Sequence, residues 1–108
     1  METTAEYAVI KRNASDPAIM EEAAGMLKAV AHPVRIAIVE LLDNGARRHV
    51  TEIFEQLGVE QAVASHHLAI LRNRGVLSQV REGKRMYYFL RHPRLAEIVD
   101  CIKYCCAN

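Results

Sequence analysis

Residues 50–75 read VTEIFEQLGVEQAVASHHLAILRNRG, and this stretch decides the fold. It divides into two short helices around Leu57, Gly58 and Val59, because Gly58 accepts the left-handed conformation that ends a helix. In the second helix Ala64, Leu68 and Leu71 recur at i, i+4 and i+7, one apolar stripe that faces inward. The opposite side carries Gln61, Ser65, His66, Arg72 and Asn73, all able to bond base edges or phosphates. A helix, a tight turn and a second helix with a polar outer face match the helix-turn-helix. In that motif the second helix enters the major groove of DNA.

The charge distribution points the same way. A net charge of +1 conceals a balance of −4 over residues 1–60, +6 over residues 61–94 and −1 over the remainder. The positive excess therefore starts at the second helix of the motif and continues through the segment behind it. Phosphate neutralisation supplies almost all sequence-independent affinity for DNA, so a basic segment at that place is the expected footprint.

Outward from the motif, the chain alternates helix signals with turn signals. Residues 1–15 show no period and read as a frayed arm ahead of a domain spanning residues 16–108. Asp16-Pro17 starts a first helix over 17–31, expected to bury Met20, Ala23, Leu27 and Val30 or their neighbours. His32-Pro33 restarts the chain as a second helix with Ile36, Val39 and Leu42 inward and Arg35 and Glu40 left to solvent. Asn44-Gly45 closes it, and Thr51 is the expected cap of the third. After Gly75, residues 76–81 and 85–90 flank Glu82-Gly83-Lys84 as a two-stranded hairpin whose tip carries Arg81, Lys84 and Arg85. His92-Pro93 opens a last helix over 93–106, with Leu95, Ile98, Val99 and Ile102 in an apolar stripe.

The resulting fold class is mainly α with a small β-hairpin, in the order α-α-α-α-β-β-α, a winged helix-turn-helix. The apolar surface of the first and last helices exceeds what one small domain covers, which predicts a homodimer built on those two helices. No apolar run is long enough to span a bilayer, and the polar, acidic opening of the chain is unlike a secretory signal, so a cytoplasmic protein without membrane contact is expected. Phosphate-binding glycine loops, zinc-protease signatures and nucleophile elbows are missing, so no enzyme is expected and no cofactor is required. The rival of another class is a winged helix that binds protein instead of DNA.

Three blocks carry a family resemblance: residues 31–38 (AHPVRIAI), 65–77 (SHHLAILRNRGVL) and 82–88 (EGKRMYY). In that order and spacing they resemble the bacterial ArsR/SmtB winged-helix repressors, over roughly residues 27–91. The resemblance implies a homodimeric repressor on a palindromic double-stranded DNA operator, released by an inducer that is often a metal or metalloid ion. It places DNA reading on Gln61, Ser65, His66 and His67, with hairpin contacts near Lys84 and Arg85; Arg72 and Arg81 join them from the charge pattern, and the alternative for His66 and His67 is that one of them packs against the preceding helix. One departure lies at Glu60, where relatives often have a capping serine. A carboxylate there either turns away from the duplex or accepts from a cytosine amino group.

The family's sensing sites do not transfer. The third helix has no cysteine, the last-helix metal positions fall on His92, Arg94, Cys105 and Asn108, and the persulfide partner falls near Val39. What remains is Cys101, Cys105 and Cys106, too few and too clustered for a disulfide framework. Cys101 and Cys105 share a helix face, and a frayed end would swing Cys106 towards them. Three readings stay open. The thiols bind a thiophilic ion such as trivalent arsenic, cadmium or zinc, they are redox-active, or they pack as small apolar residues. His32, His49 and His92 read as caps or surface residues.

Overall fold

A computed structural model of the chain describes residues 16–107; the expected arm and Asn108 lie outside the described residues. Helix α1 (Pro17–Val30) begins as the sequence dictates, with Asp16 Oδ1 accepting the Ala18 N–H at 2.8 Å and proline at the first helical position. Helix α2 (Pro33–Leu41) starts in the same manner, its cap being His32, whose Nδ1 accepts the Val34 N–H at 3.1 Å. A short 3-10 turn, Asp43–Gly45, follows, and there Asn44 (φ 61°) takes the left-handed conformation.

Helix α3 (Val50–Leu57) begins one residue before Thr51, which is therefore not its cap. The cap is His49, whose backbone N–H donates to the Glu52 carboxylate at 3.1 Å, a closure that only the residue three ahead of Glu52 can make. Gly58 ends α3 at φ 68°, and helix α4 (Gln61–Asn73) follows after two further residues. Strands β2 (Leu77–Glu82) and β3 (Arg85–Leu90) pair antiparallel from Leu77↔Leu90 to Glu82↔Arg85, joined by Gly83-Lys84. A two-residue strand β1 (Arg48–His49), not anticipated, adds to the free edge of β3 through Arg48↔Tyr88 and His49↔Tyr87. The sheet order is thus β1-β3-β2. Helix α5 (Leu95–Ala107) starts later than residue 93, because His92-Pro93-Arg94 form a turn closed by Leu95 N–H to His92 C=O.

Ile38, Val39 and Leu42 from the α2 segment form the centre of the core, packed by Ile53, Leu68, Leu71, Val76, Leu77, Leu90, Ala96 and Val99. Ala64, Leu68 and Leu71 are fully buried, which fixes which side of α4 faces outward. The first helix departs from expectation. Met20, Ala23 and Leu27 are exposed, Leu27 at 57%, and Ala29 is the buried residue of α1. On α5, Val99 is buried while Ile98 and Ile102 stand out at 48% and 56%. One subunit covers a single edge of each terminal helix and leaves the broader apolar side open. Among the described residues no helix is long and apolar enough to cross a membrane.

Candidate nucleic-acid interface

The outer face of α4 is built by subtraction. Once Ala64, Leu68 and Leu71 are fixed in the core, the 3.6-residue repeat turns Ala62, Ser65, His66, Ala69, Arg72 and Asn73 outward, and all are exposed, as is Gln61 in the first turn. The small side chains of Ala62 and Ala69 leave room for close approach by a groove edge. Sequence reasoning passed over Val63, which is 39% exposed and offers an apolar contact of the kind that thymine methyl groups accept. Glu60 occupies the N-cap position without a side-chain capping bond, and it is exposed.

His67 does not belong to that face. Its ring is buried, tilted against His32 with centroids 4.5 Å apart, and its Nδ1 accepts the Arg35 Nε–H at 2.9 Å. Its position one residue from His66 turns it through about 100° of helix, from solvent towards α2. Burial, then the neighbouring His32, Arg35 and His66, lower its pKa below 6.5, so the ring is neutral at pH 7, as its acceptor role requires. Arg35, expected in solvent, is half-buried, and its Nη1 also donates to the Ala29 carbonyl at 3.1 Å. One guanidinium thereby ties the end of α1 and the inner face of α4 to α2. Glu40 is also engaged, in an ion pair with Lys103 of α5.

The hairpin carries Arg81, Lys84 and Arg85, all exposed. Arg85 is tethered: its Nη1 lies 3.0 Å from His49 Nε2, and His49 in turn sits edge-on to Tyr87. Arg47 braces the other flank, pairing with Glu82 at 3.4 Å and lying 4.6 Å over the Phe89 ring. That pairing removes the single carboxylate of the hairpin from competition with incoming phosphates. Lys84, at the tip, makes no such contact among the described residues.

Cys101, Cys105 and Cys106 are free, exposed thiols. Because α5 continues to Ala107, Cys106 stays on its own side of the helix and does not swing towards the other two. Among the described residues, no three His, Cys, Asp or Glu side chains gather closely enough to hold a metal ion.

The family model for bacterial regulatory proteins of the arsR family matches residues 32–79. The transcriptional repressor PagR of Bacillus anthracis is 35% identical over 83 residues, covering 77% of this chain and 83% of that one. Its crystal structure superimposes with a TM-score of 0.73 at 32% identity, over 81% of this chain and 99% of PagR. The HTH-type transcriptional repressor SmtB of Mycobacterium tuberculosis is 42% identical over 81 residues, 75% of this chain and 59% of its own length. A homodimeric winged helix-turn-helix DNA-binding domain from Mycobacterium bovis, Mb0332 (fragment 1–100), matches with a TM-score of 0.72 at 28% identity, over 84% of this chain and 83% of that domain. With helix-turn-helix, braced hairpin and these relatives in agreement, the chain belongs to the ArsR family of bacterial regulatory proteins.

Proposed function

We propose that this chain is a sequence-specific DNA-binding transcriptional repressor that binds a palindromic operator as a homodimer. The observation that carries the reading is the exposed polar face of α4, followed directly by a hairpin whose tip cations are open and whose carboxylate is already paired. Gln61, Ser65 and His66 read base edges, and Arg72, Arg81, Lys84 and Arg85 hold phosphates. The exposed apolar stripe of Leu27, Ile98 and Ile102 supports pairing through α1 and α5, and the relatives include repressors and a homodimeric DNA-binding domain. Two-fold symmetry then demands a two-fold related site on the duplex, with half-sites about one helical turn apart or a multiple of it.

Release of the DNA is assigned to Cys101 and Cys105, which face one side of α5 four residues apart. Among the described residues one subunit gathers no third donor with the two thiols of that face, so a thiophilic ion would be shared between the last helices of both subunits. Oxidation of the same exposed thiols is the second route, favoured by their accessibility.

Fluorescence anisotropy on the protein's own upstream DNA, against a random duplex, tests the reading. Tighter binding to the upstream DNA, weakening steeply with salt, is expected; equal binding to both, or salt-indifferent binding to a protein partner, overturns it. Adding trivalent arsenic, cadmium, zinc and peroxide in turn tests release. An effective agent must lose its action in Cys101→Ser or Cys105→Ser, and unchanged DNA affinity across the panel removes the sensing role.

A further inference from the structure

Away from the outer face of α4, a cleft of about 460 Å³ opens between α1, α2 and the end of α4. Glu21, Ala24, Gly25 and Lys28 line it from α1, Arg35 from α2, and Ile70 and Arg74 from α4 and its cap. Three cations therefore face one carboxylate. The Lys28 and Arg74 side chains have no ion-pair or hydrogen-bond partner among the described residues. Arg35 spends two N–H groups on His67 and Ala29, and its Nη2 donors are left without an acceptor. Arg35 is also fixed in place by those two bonds, so its free donors are held ready in a half-buried wall.

The floor of the cleft has been kept low. Gly25 sits in the middle of α1, where glycine weakens a helix, with no positive φ to justify it. A Cβ at that position would lie 3.5 Å from Arg74 Nη1, so the guanidinium rests directly over the helix backbone there. A methyl group there would make ordinary van der Waals contact with Arg74.

We propose that this cleft is a binding site for a small organic phosphate bearing hydroxyl groups. Lys28, Arg35 and Arg74 take the phosphate as charge-assisted hydrogen-bond donors. Glu21, two helical turns from Lys28, accepts from a hydroxyl at the other end, a span of roughly 10 Å along the helix. Ala24, Ala29 and Ile70 supply the apolar wall between them. The volume falls within the range of small-molecule sites, roughly 300–1,000 Å³. An occupant would draw on the same guanidinium that holds His67, and so would alter how α4 is seated; that consequence rests on the DNA reading above, whereas binding itself does not.

Isothermal titration calorimetry of the full chain without DNA, at constant ionic strength, tests the site with glucose 6-phosphate, inorganic phosphate and glucose as probes. Saturable binding of glucose 6-phosphate, weaker binding of phosphate and none of glucose is expected. Lys28→Gln and Arg74→Gln each lower the affinity by about tenfold, the scale of one charge-assisted bond. Both side chains are exposed, and unchanged circular dichroism confirms folding. Absence of saturation with both phosphates overturns the proposal, as does an equal loss on Lys84→Gln, which marks diffuse attraction to the hairpin. If the cleft instead grips the DNA backbone, the two variants weaken operator binding with no small anion present while calorimetry stays silent, and the small-molecule site is refuted.

Discussion

Lys84→Gln isolates the electrostatic part of DNA binding. Lys84 stands at the tip of the β2–β3 turn, exposed and without a partner among the described residues, so its removal costs the fold almost nothing. Arg85 is less clean, because Arg85→Ala also breaks the contact with His49 that tethers the tip end of the hairpin. Each phosphate contact contributes about −0.9 to the slope of log affinity against log salt. A dimer loses two such contacts, a slope change of about 1.8. Over a rise from about 50 to about 200 mM salt, the wild-type affinity should therefore fall about tenfold further than that of the variant. The loss at low salt should be the same on operator and on random duplex, because a phosphate contact carries no sequence information. Anisotropy titrations at four salt concentrations on both duplexes measure all of this. Parallel salt plots for wild type and variant would show that Lys84 touches no phosphate and would refute its place in the interface.

Gln61→Ala should change base preference by about 1–3 kcal/mol at the contacted position while leaving the salt slope alone, measured on a set of singly substituted operators. His67 is held neutral by burial, whereas an unfolded histidine takes up a proton near pH 6.5; native stability should therefore decline as pH falls through 6.5 and level off once the lowered native pKa is passed. Urea midpoints at several pH values should show that decline in the wild type and a flatter profile in His67→Gln; identical profiles would contradict it. Leu27→Glu, placing a carboxylate in the exposed apolar stripe of α1, should convert a dimer to monomers in sedimentation equilibrium without unfolding the subunit. Leu68→Ala, at a fully buried position on α4, should cost about 2–5 kcal/mol in denaturant unfolding.

The legible parts of this chain were those where local chemistry and global packing ask for the same residue. Gly58, Asp16-Pro17 and Gly83 each sit where one backbone conformation or one cap is needed, and the stripe of Ala64, Leu68 and Leu71 has a single way to be buried. Long-range pairings were illegible. His49 caps α3 and extends the sheet because β3 passes beside it, and nothing within residues 46–52 announces that neighbour. Met20 and Leu27 have the spacing of a buried face and are exposed, since the amphipathic pattern states that a surface is covered without stating whether the cover belongs to the same subunit.

His66 and His67 show most sharply how such a limit bears on function. The two side chains are chemically alike and adjacent, yet α4 sends one to solvent and the other against Arg35, from a residue 32 positions earlier. The helical repeat puts His66 with the polar side and leaves His67 beside Ala64, Leu68 and Leu71, whereas the family resemblance assigns both to DNA; the partner across the fold shows which of the two is held inside. The separation has an energetic consequence. The inner side of α4 holds Ala64, His67, Leu68 and Leu71, whose loss is felt as stability, while Gln61, Ser65 and Arg72 point outward and His66 meets the core only at the edge of the His67 ring. Changes on the outer side can therefore alter which operator is read without unsettling the helix that reads it, whereas a change at His67 reaches DNA only by loosening that helix's seat on α2. An operator shift from His67→Gln with unaltered stability, or a stability loss from Ser65→Ala with unaltered DNA preference, would show that the two sides of α4 have been assigned the wrong way round.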